Sequence, residues 1–422
     1  MDIEVITIGT ELLLGYTLDS NGAEIARALG EHGIRVVRRT SVGDRAEAIR
    51  DAVADGLRRT GAVITTGGLG PTRDDISKRV VADLLGAPLV FDDAVWEALV
   101  ARFAKLGRVP VASNRVQAEV PQGATVLPNR WGTAPGLWLE APALSAAEGA
   151  SGVVIMLPGV PREMRNLLEH EVLPRLAALG AGTVVRSLTV RTTGIPESTL
   201  AERLGEIEAA IAPLTLAYLP GEAGVDLRLT AWGLPSGEAT TRLRAGADLL
   251  RERGGESVYG EGDVDLAALV LDAARSRGLR VGAAESCTGG LVGKRLTDVP
   301  GSSDVFQGAI VAYDNSLKAS LLDVPPELLE RYGAVSEEVA RAMAIGALGR
   351  LNVELAVAVT GIAGPGGGSP EKPVGTIWLA TASDGAAAAV RIVLPGSRGE
   401  IRARAAQAAL FRMLRRLQRS DG

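Results

Sequence analysis

Arg280-Val281-Gly282-Ala283-Ala284 runs directly into Glu285-Ser286-Cys287-Thr288-Gly289-Gly290. The first five residues read as a buried strand, the next six as a glycine-softened reversal that opens a helix. Strand, tight turn and helix in succession form the repeating unit of an open α/β sheet, and a serine at the turn is presented as a nucleophile is. Outward from this point the same alternation continues. Strands are expected at Val305 to Ala312, Leu355 to Val359, Gly375 to Ala382 and Ala388 to Leu394. Helices are expected at Leu266 to Arg277, Thr288 to Thr297, Ser336 to Leu351 and Arg398 to Leu417. This makes an α/β domain of residues 261–422, entered through a linker at Glu261-Gly262-Asp263.

Upstream, strand runs at Glu4 to Ile8, Val36 to Thr40, Ala62 to Thr66 and Val153 to Leu157 alternate with helical runs. Those helices are read at Asn21 to Gly33, Ala46 to Thr60, Asp74 to Leu85 and Asp93 to Leu106. The alternation predicts a three-layer α/β domain over 1–173 with a parallel sheet, and Ala143 to Gly152 reads as a surface hairpin loop. Residues 174–260 lie between, in the order strand, helix, strand, strand, helix, strand, a small α+β split βαβ domain. Gly221 to Gly224 has the glycine spacing of an RNA-clamping loop, but it joins two strands and carries Glu222, so it reads as a hairpin turn.

With 422 residues the chain can bury several cores. Its two histidines, His32 and His170, lie far upstream of Ser286, so a Ser-His-Asp triad has no evident base. Of 45 cationic side chains only Lys78, Lys105, Lys294, Lys318 and Lys372 are lysine. A desolvated lysine can act as a neutral base where arginine cannot, and Lys318, in Tyr313-Asp314-Asn315-Ser316-Leu317-Lys318, is the candidate partner of Ser286. Thr288, Gly289 and Gly290 would offer backbone N–H groups to an oxyanion at the helix start. Cys287 is the rival nucleophile, one residue into the helix, where its side chain should turn away. The segment Thr360-Gly361-Ile362-Ala363-Gly364-Pro365 leaves a strand toward the sheet's carboxyl edge, where such sheets bind ligands. Pro395-Gly396-Ser397-Arg398, with Arg402 one turn on, suits a phosphate.

The single cysteine excludes an internal disulfide, and with two distant histidines it disfavours a thiolate or imidazole zinc site. A net charge of −5 and 3% aromatic residues leave no footprint for nucleic acid. No run of about 20 residues lacks charge or glycine punctuation, and the acidic start has no basic leader, so a cytoplasmic protein with no membrane partner is expected.

In the first domain, Thr66-Gly67-Gly68-Leu69-Gly70-Pro71-Thr72-Arg73-Asp74-Asp75 joins a strand to a helix. Gly67, Gly68 and Gly70 let backbone donors approach an anion, and Thr72 can cap. Asp74 and Asp75 would repel phosphate unless a divalent cation bridged them to it.

Ala284 to Gly290, Val299-Pro300-Gly301-Ser302-Ser303, Tyr313 to Lys318, Gly333-Ala334-Val335-Ser336, Val359 to Pro365 and Lys372-Pro373-Val374-Gly375-Thr376 together resemble the C-terminal domain of the CinA family of competence- and damage-inducible proteins. The resemblance implies a deamidase, needing no cofactor, that converts nicotinamide mononucleotide (NMN) to nicotinate mononucleotide and ammonia in pyridine nucleotide salvage. Ser286 would then attack the carboxamide and Lys318 would shuttle the proton. Tyr313 and Asn315 would orient Lys318 or the substrate, and Thr360 and Gly361 would line the pocket, with Arg398 beside them.

Ile8 to Leu13, Asp19-Ser20-Asn21, Ser41-Val42-Gly43-Asp44 and Leu157 to Met164 extend the resemblance to the family's N-terminal domain, which is similar to molybdopterin-binding domains. That implies a metal-dependent pyrophosphatase acting on ADP-ribose; Glu11, Asp44, Asp74 and Asp75, by their loop positions, are the candidate oxygen ligands for Mg, Mn or Co. Molybdopterin binding without catalysis is the alternative for this half, and a competence-associated interaction protein is the other. A homodimer is expected, because the middle domain has few residues for a core of its own.

Overall fold

The computed structural model describes residues 1–141, 152–177 and 183–419; nearly all of the expected loop from Ala143 to Gly152 falls outside them. The chain divides into two compact units, residues 1–186 with 231–241, and 187–230 with 242–422.

In the first unit four parallel strands, Arg35–Val42, Asp2–Ile8, Ala62–Thr66 and Val153–Leu157, lie side by side in that order. Ala62–Thr66 and Val153–Leu157 are buried at every residue, as strands covered on both faces must be. The sheet is not wholly parallel as expected: Gly136–Glu140 and Thr125–Leu127 extend it antiparallel at one edge. Isolated short strands of this kind carry too few apolar residues to be read from periodicity. Two apolar cores, one around Ile25, Leu29 and Met164 and the other around Val53, Leu57 and Val81, sandwich the sheet.

Residues 183–261 follow the β-α-β-β-α-β order foreseen for the middle segment, the first helical leg being split into Glu197–Leu204 and Ile207–Ile211, in a sheet ordered Thr215–Pro220, Val225–Pro235, Thr183–Thr192, Val258–Glu261. Gly221 and Gly224 close the hairpin, with Gly221 N donating to Gly224 O at 2.8 Å.

Beyond it lies a five-stranded sheet ordered Phe306–Val311, Val281–Glu285, Leu355–Gly361, Thr376–Ser383, Ala386–Val393. The first three strands are parallel and the last two antiparallel. Leu266–Ser276 and Arg398–Gln418 cover one face, and Glu337–Arg350 covers the other. The helix expected from Thr288 starts instead at Leu291, because Gly289 and Gly290 adopt φ of 58° and 96° and hold the chain in a turn first. Asn315–Leu322 and Pro326–Tyr332 are helices that the sequence pattern did not suggest. Among the described residues no helix is long and apolar enough to cross a membrane.

Candidate active site

Ser286, Tyr313 and Thr360 sit at the carboxyl ends of three neighbouring parallel strands. Backbone bonds fasten these ends together: Ser286 N donates to Val359 O at 2.9 Å, and Ala312 N donates to Glu285 O at 2.9 Å. The helix Asn315–Leu322, capped by Asp314 accepting from Ser316 N, then turns back and carries Lys318 inward. Lys318 is 1% exposed, and its Nζ donates to Tyr313 O at 2.9 Å. Burial holds the amine below its ordinary pKa, opposed by the charge of Asp314. The amine's acceptor, Tyr313 O, directly follows Ala312, whose N–H donates to Glu285 O, one residue before Ser286. The Ser286 hydroxyl itself makes no hydrogen bond to Lys318 or to any other described residue.

The Cys287 thiol is pushed up to about 12, first by burial and further by the charge of Glu285. At neutral pH it stays protonated and is a poor nucleophile. Ser286, its neighbour in the turn, is 8% exposed.

Of the N–H groups of Thr288, Gly289 and Gly290 expected to face an oxyanion, two are engaged within the turn. Glu285, fully buried, accepts from Gly290 N at 2.9 Å, Val292 N at 3.1 Å and Gly293 N at 2.8 Å. Gly289 N donates to Ser286 O. The donors of Gly289 and Gly290 are therefore spent within the turn, a placement invisible to spacing rules because a carboxylate reached forward to cap a helix five residues on. Thr288 is fully buried, and its Oγ1 has no partner. Thr360 is also fully buried and gives its hydroxyl to Ala334 O at 2.8 Å, so it ties loops together rather than lining an open pocket. Asn315 is exposed at the first turn of its helix. Gly361 is obligatory because a Cβ there would stand 2.7 Å from Thr376 O.

Two arginines of the C-terminal helix brace these loops. Arg398 donates to Gly364 O at 2.7 Å and to Tyr313 Oη at 3.1 Å. Arg402 donates to Cys287 O at 3.1 Å and Thr288 O at 2.7 Å. Ser397 and Glu400 form a capping box at the helix start. The expected phosphate cradle is thus largely taken up by internal bonds, and Arg402 is a clamp on the serine turn.

In the first unit the glycine loop leaves the strand end at Thr66. Gly67 and Gly68 have φ of 112° and 68°, and a Cβ on Gly67 would meet Ile8 O at 2.2 Å. Gly68, Gly70, Thr72, Arg73, Lys78 and Arg79 line a cavity of about 360 Å³. Lys78 donates to Val116 O, and burial lowers its pKa from 10.5 to about 8. The carboxylates expected to share a cation are not gathered. Asp44 Oδ2 accepts from Thr10 N and Thr10 Oγ1, and Asp75 Oδ2 accepts from Thr72 N and Thr72 Oγ1. Among the described residues no three of His, Cys, Asp and Glu converge as a metal cage. Glu11, Asp44, Asp74 and Asp75 therefore form no such group. Hydrogen bonds to threonines engage two of the four, Asp44 with Thr10 across 34 residues of sequence and Asp75 with Thr72 three residues before it.

Comparison with known proteins covers the whole chain. Residues 4–178 match the family described as probable molybdopterin binding domain, 187–260 the damage-inducible protein CinA KH domain, and 263–417 the CinA C-terminal domain. A CinA-like protein of Gemmatimonas aurantiaca is 52% identical over 425 residues, covering 100% of this chain and 98% of that protein. The chain belongs to the CinA family. A putative competence-damage inducible protein of Symbiobacterium thermophilum is 44% identical, covering 99% of this chain and 98% of the relative. The crystal structure of the competence/damage inducible protein CihA from Agrobacterium tumefaciens is 44% identical, covers 36% of this chain and 94% of its own, and superposes with a TM-score of 0.35.

For this CinA-family chain, sequence reasoning overlooked Glu285, Arg402 as a clamp, and Lys78. A signal for the first was available: the helix after Gly290 lacks a Ser, Thr, Asp or Asn at its cap, so another acceptor has to satisfy its first donors.

Proposed function

We propose that the second unit deamidates NMN through a Ser286 nucleophile and a Lys318 base. One observation supports this reading: a buried lysine with a depressed pKa is held on Tyr313 O, at the carboxyl edge of the same three parallel strands whose central end carries Ser286. Neutral Lys318 takes the Ser286 proton as Oγ bonds to the carboxamide carbon. The same proton passes to the departing nitrogen, ammonia leaves, and an acyl-serine remains. Water then attacks, Lys318 again carries the proton, and nicotinate mononucleotide departs with Ser286 restored. With Gly289 and Gly290 engaged, the N–H groups of Cys287 and Thr288 are the oxyanion donors in this reading. Tyr313, 60% exposed and bonded to Arg398, faces the substrate side. The test is ammonia release from NMN without added metal, by the full chain and by Ser286→Ala. Loss in the variant supports the nucleophile; undiminished release discards it.

The first unit is read as a site for a phosphorylated ligand at the Gly67–Thr72 loop, on the strength of the cavity lined by Lys78, Arg73 and Arg79. ADP-ribose and a phosphorylated pterin are the ligands to compare by calorimetry, each with and without a divalent ion. Cleavage of ADP-ribose would make this unit the expected pyrophosphatase, whereas saturable pterin binding alone would make it a carrier. No step is assigned to a cation, because the donor set does not converge.

A further inference from the structure

Glu285 is the one carboxylate of the second unit's five-stranded sheet that is wholly withdrawn from water, and no step of the deamidation uses it. A carboxylate withdrawn from water is costly unless its oxygens find donors, so its place next to Ser286 asks for an explanation. Its partners are all backbone N–H groups. Oε2 takes Gly290 N and Val292 N, and Oε1 takes Gly293 N.

These are donors of the first turn of the helix Leu291–Thr297, which has no side-chain cap from Gly290. Glu285 therefore caps, from the preceding strand, a helix whose own cap residue is glycine. Between the two points the chain must close a tight loop, Ser286 to Gly290, whose last two residues are glycines at positive φ. Arg402 holds the carbonyls of Cys287 and Thr288 from the other side. The loop is gripped at both ends, and Ser286 lies between the grips.

We propose that Glu285 is a positioning residue: its carboxylate, tied to the N–H groups of Gly290, Val292 and Gly293, fixes the turn that presents the Ser286 hydroxyl. Its charge adds to burial in keeping the Cys287 thiol protonated, so the turn offers the hydroxyl rather than the sulfur. Glutamine at 285 keeps the length but has one acceptor oxygen where two are needed, and it turns an NH₂ group toward at least one backbone N–H. Aspartate keeps the charge but falls one methylene short.

This inference rests on Ser286 being the nucleophile, and its test separates the two. The full-length chain and Ser286→Ala are first assayed for ammonia release from NMN and for covalent labelling by a fluorophosphonate, read by intact mass. Glu285→Gln, Glu285→Asp and Gly290→Ala are then measured with the same two readouts, after thermal melts establish that each is folded. The expected result is a kcat at least tenfold lower in all three variants, KM within about twofold, and labelling of Ser286 slowed in parallel. The acid limb of the pH profile should not move, since Lys318 is left as it was. Gly290→Ala retains the carboxylate but strains the turn at φ of 96°, so it keeps the idea falsifiable should both Glu285 variants fail to fold. Wild-type kcat and labelling rates in the folded variants overturn the positioning role while leaving the nucleophile intact. Ammonia release that persists in Ser286→Ala overturns the nucleophile, and the role of Glu285 with it.

Discussion

Lys318 sets two demands against each other at the residue scale. Burial to 1% exposure disfavours its charged form, which is unfavourable for folding at neutral pH but useful for catalysis. The sign follows directly. The folded amine has a pKa below its unfolded value of roughly 10.4, so between the two the unfolded chain binds more protons, and stability rises with pH across that window. Lys318→Met, close in shape and without charge, should lower deamidation by about 10³-fold while leaving the melting temperature at pH 7 unchanged or higher. A variant that is inactive and also strongly destabilised would mean the lysine is a structural strut. The kcat profile of the unaltered chain should climb with pH along a limb centred below the ordinary lysine value, and a limb at or above it would count against a neutral amine as base. Cys287 makes the complementary case. With its thiol near 12 it contributes little chemistry, so Cys287→Ala should keep deamidation within about threefold while melting lower, by roughly 1 kcal/mol for a lost buried side chain. A collapse of activity in that variant would transfer the nucleophile's role to sulfur.

At the scale of elements, the position of Lys318 depends on how closely its helix packs. Asn315–Leu322 lies against Glu337–Arg350, and a Cβ added at Gly346 would stand 1.8 Å from Leu322 O. The obstacle is backbone, so the shorter helix would have to move. Gly346→Ala should destabilise the fold by about 1–3 kcal/mol, as overpacking does, and should also lower kcat, although residue 346 is far from the serine in sequence. Unfolding curves and NMN kinetics on the same preparation decide it; a stability loss with full activity would show that the helix tolerates the shift. This helix also marks where reading the sequence stopped. The strand–turn pattern at Val281–Glu285 and the long helices Leu266–Ser276 and Arg398–Gln418 were legible because apolar period and caps agree there. Asn315–Leu322 has eight residues, buries only Lys318 and Leu322, and ends on Asp323 at φ of 54°. A helix that turns a lysine inward contradicts the polar-out pattern on which such a reading depends. The same limit hid the Glu285 cap, since a hydrogen bond running from a strand into a later helix leaves no periodic trace. Ser286 stood out for a different reason, its place directly after a strand, and Lys318 as one of only five lysines.

On the scale of the whole molecule, the two compact units hold separate candidate sites, and each contains a lysine of depressed pKa. In the first unit Lys78 has its amine moved from 10.5 to about 8 by burial, against the opposing charge of Glu119. Above pH 8 the folded unit sheds this proton while the unfolded chain keeps it until roughly 10.4, so the stability of this unit should increase as pH rises from 8 toward 10. The second unit has a gain of the same sign from Lys318. If the units melt separately, a calorimetric scan at pH 7 and again at pH 9.5 should show each transition moving upward. Lys78→Met should remove the pH response of one transition and Lys318→Met that of the other. Ligands assign the transitions independently, because anything that binds only the folded site raises the melting point of its own unit. NMN should raise the transition that Lys318→Met desensitises, and ADP-ribose or a phosphorylated pterin the one that Lys78→Met desensitises. A single transition that responds to both ligands and to either substitution would mean that the units unfold together, and the two sites would then be linked through the common stability of the chain.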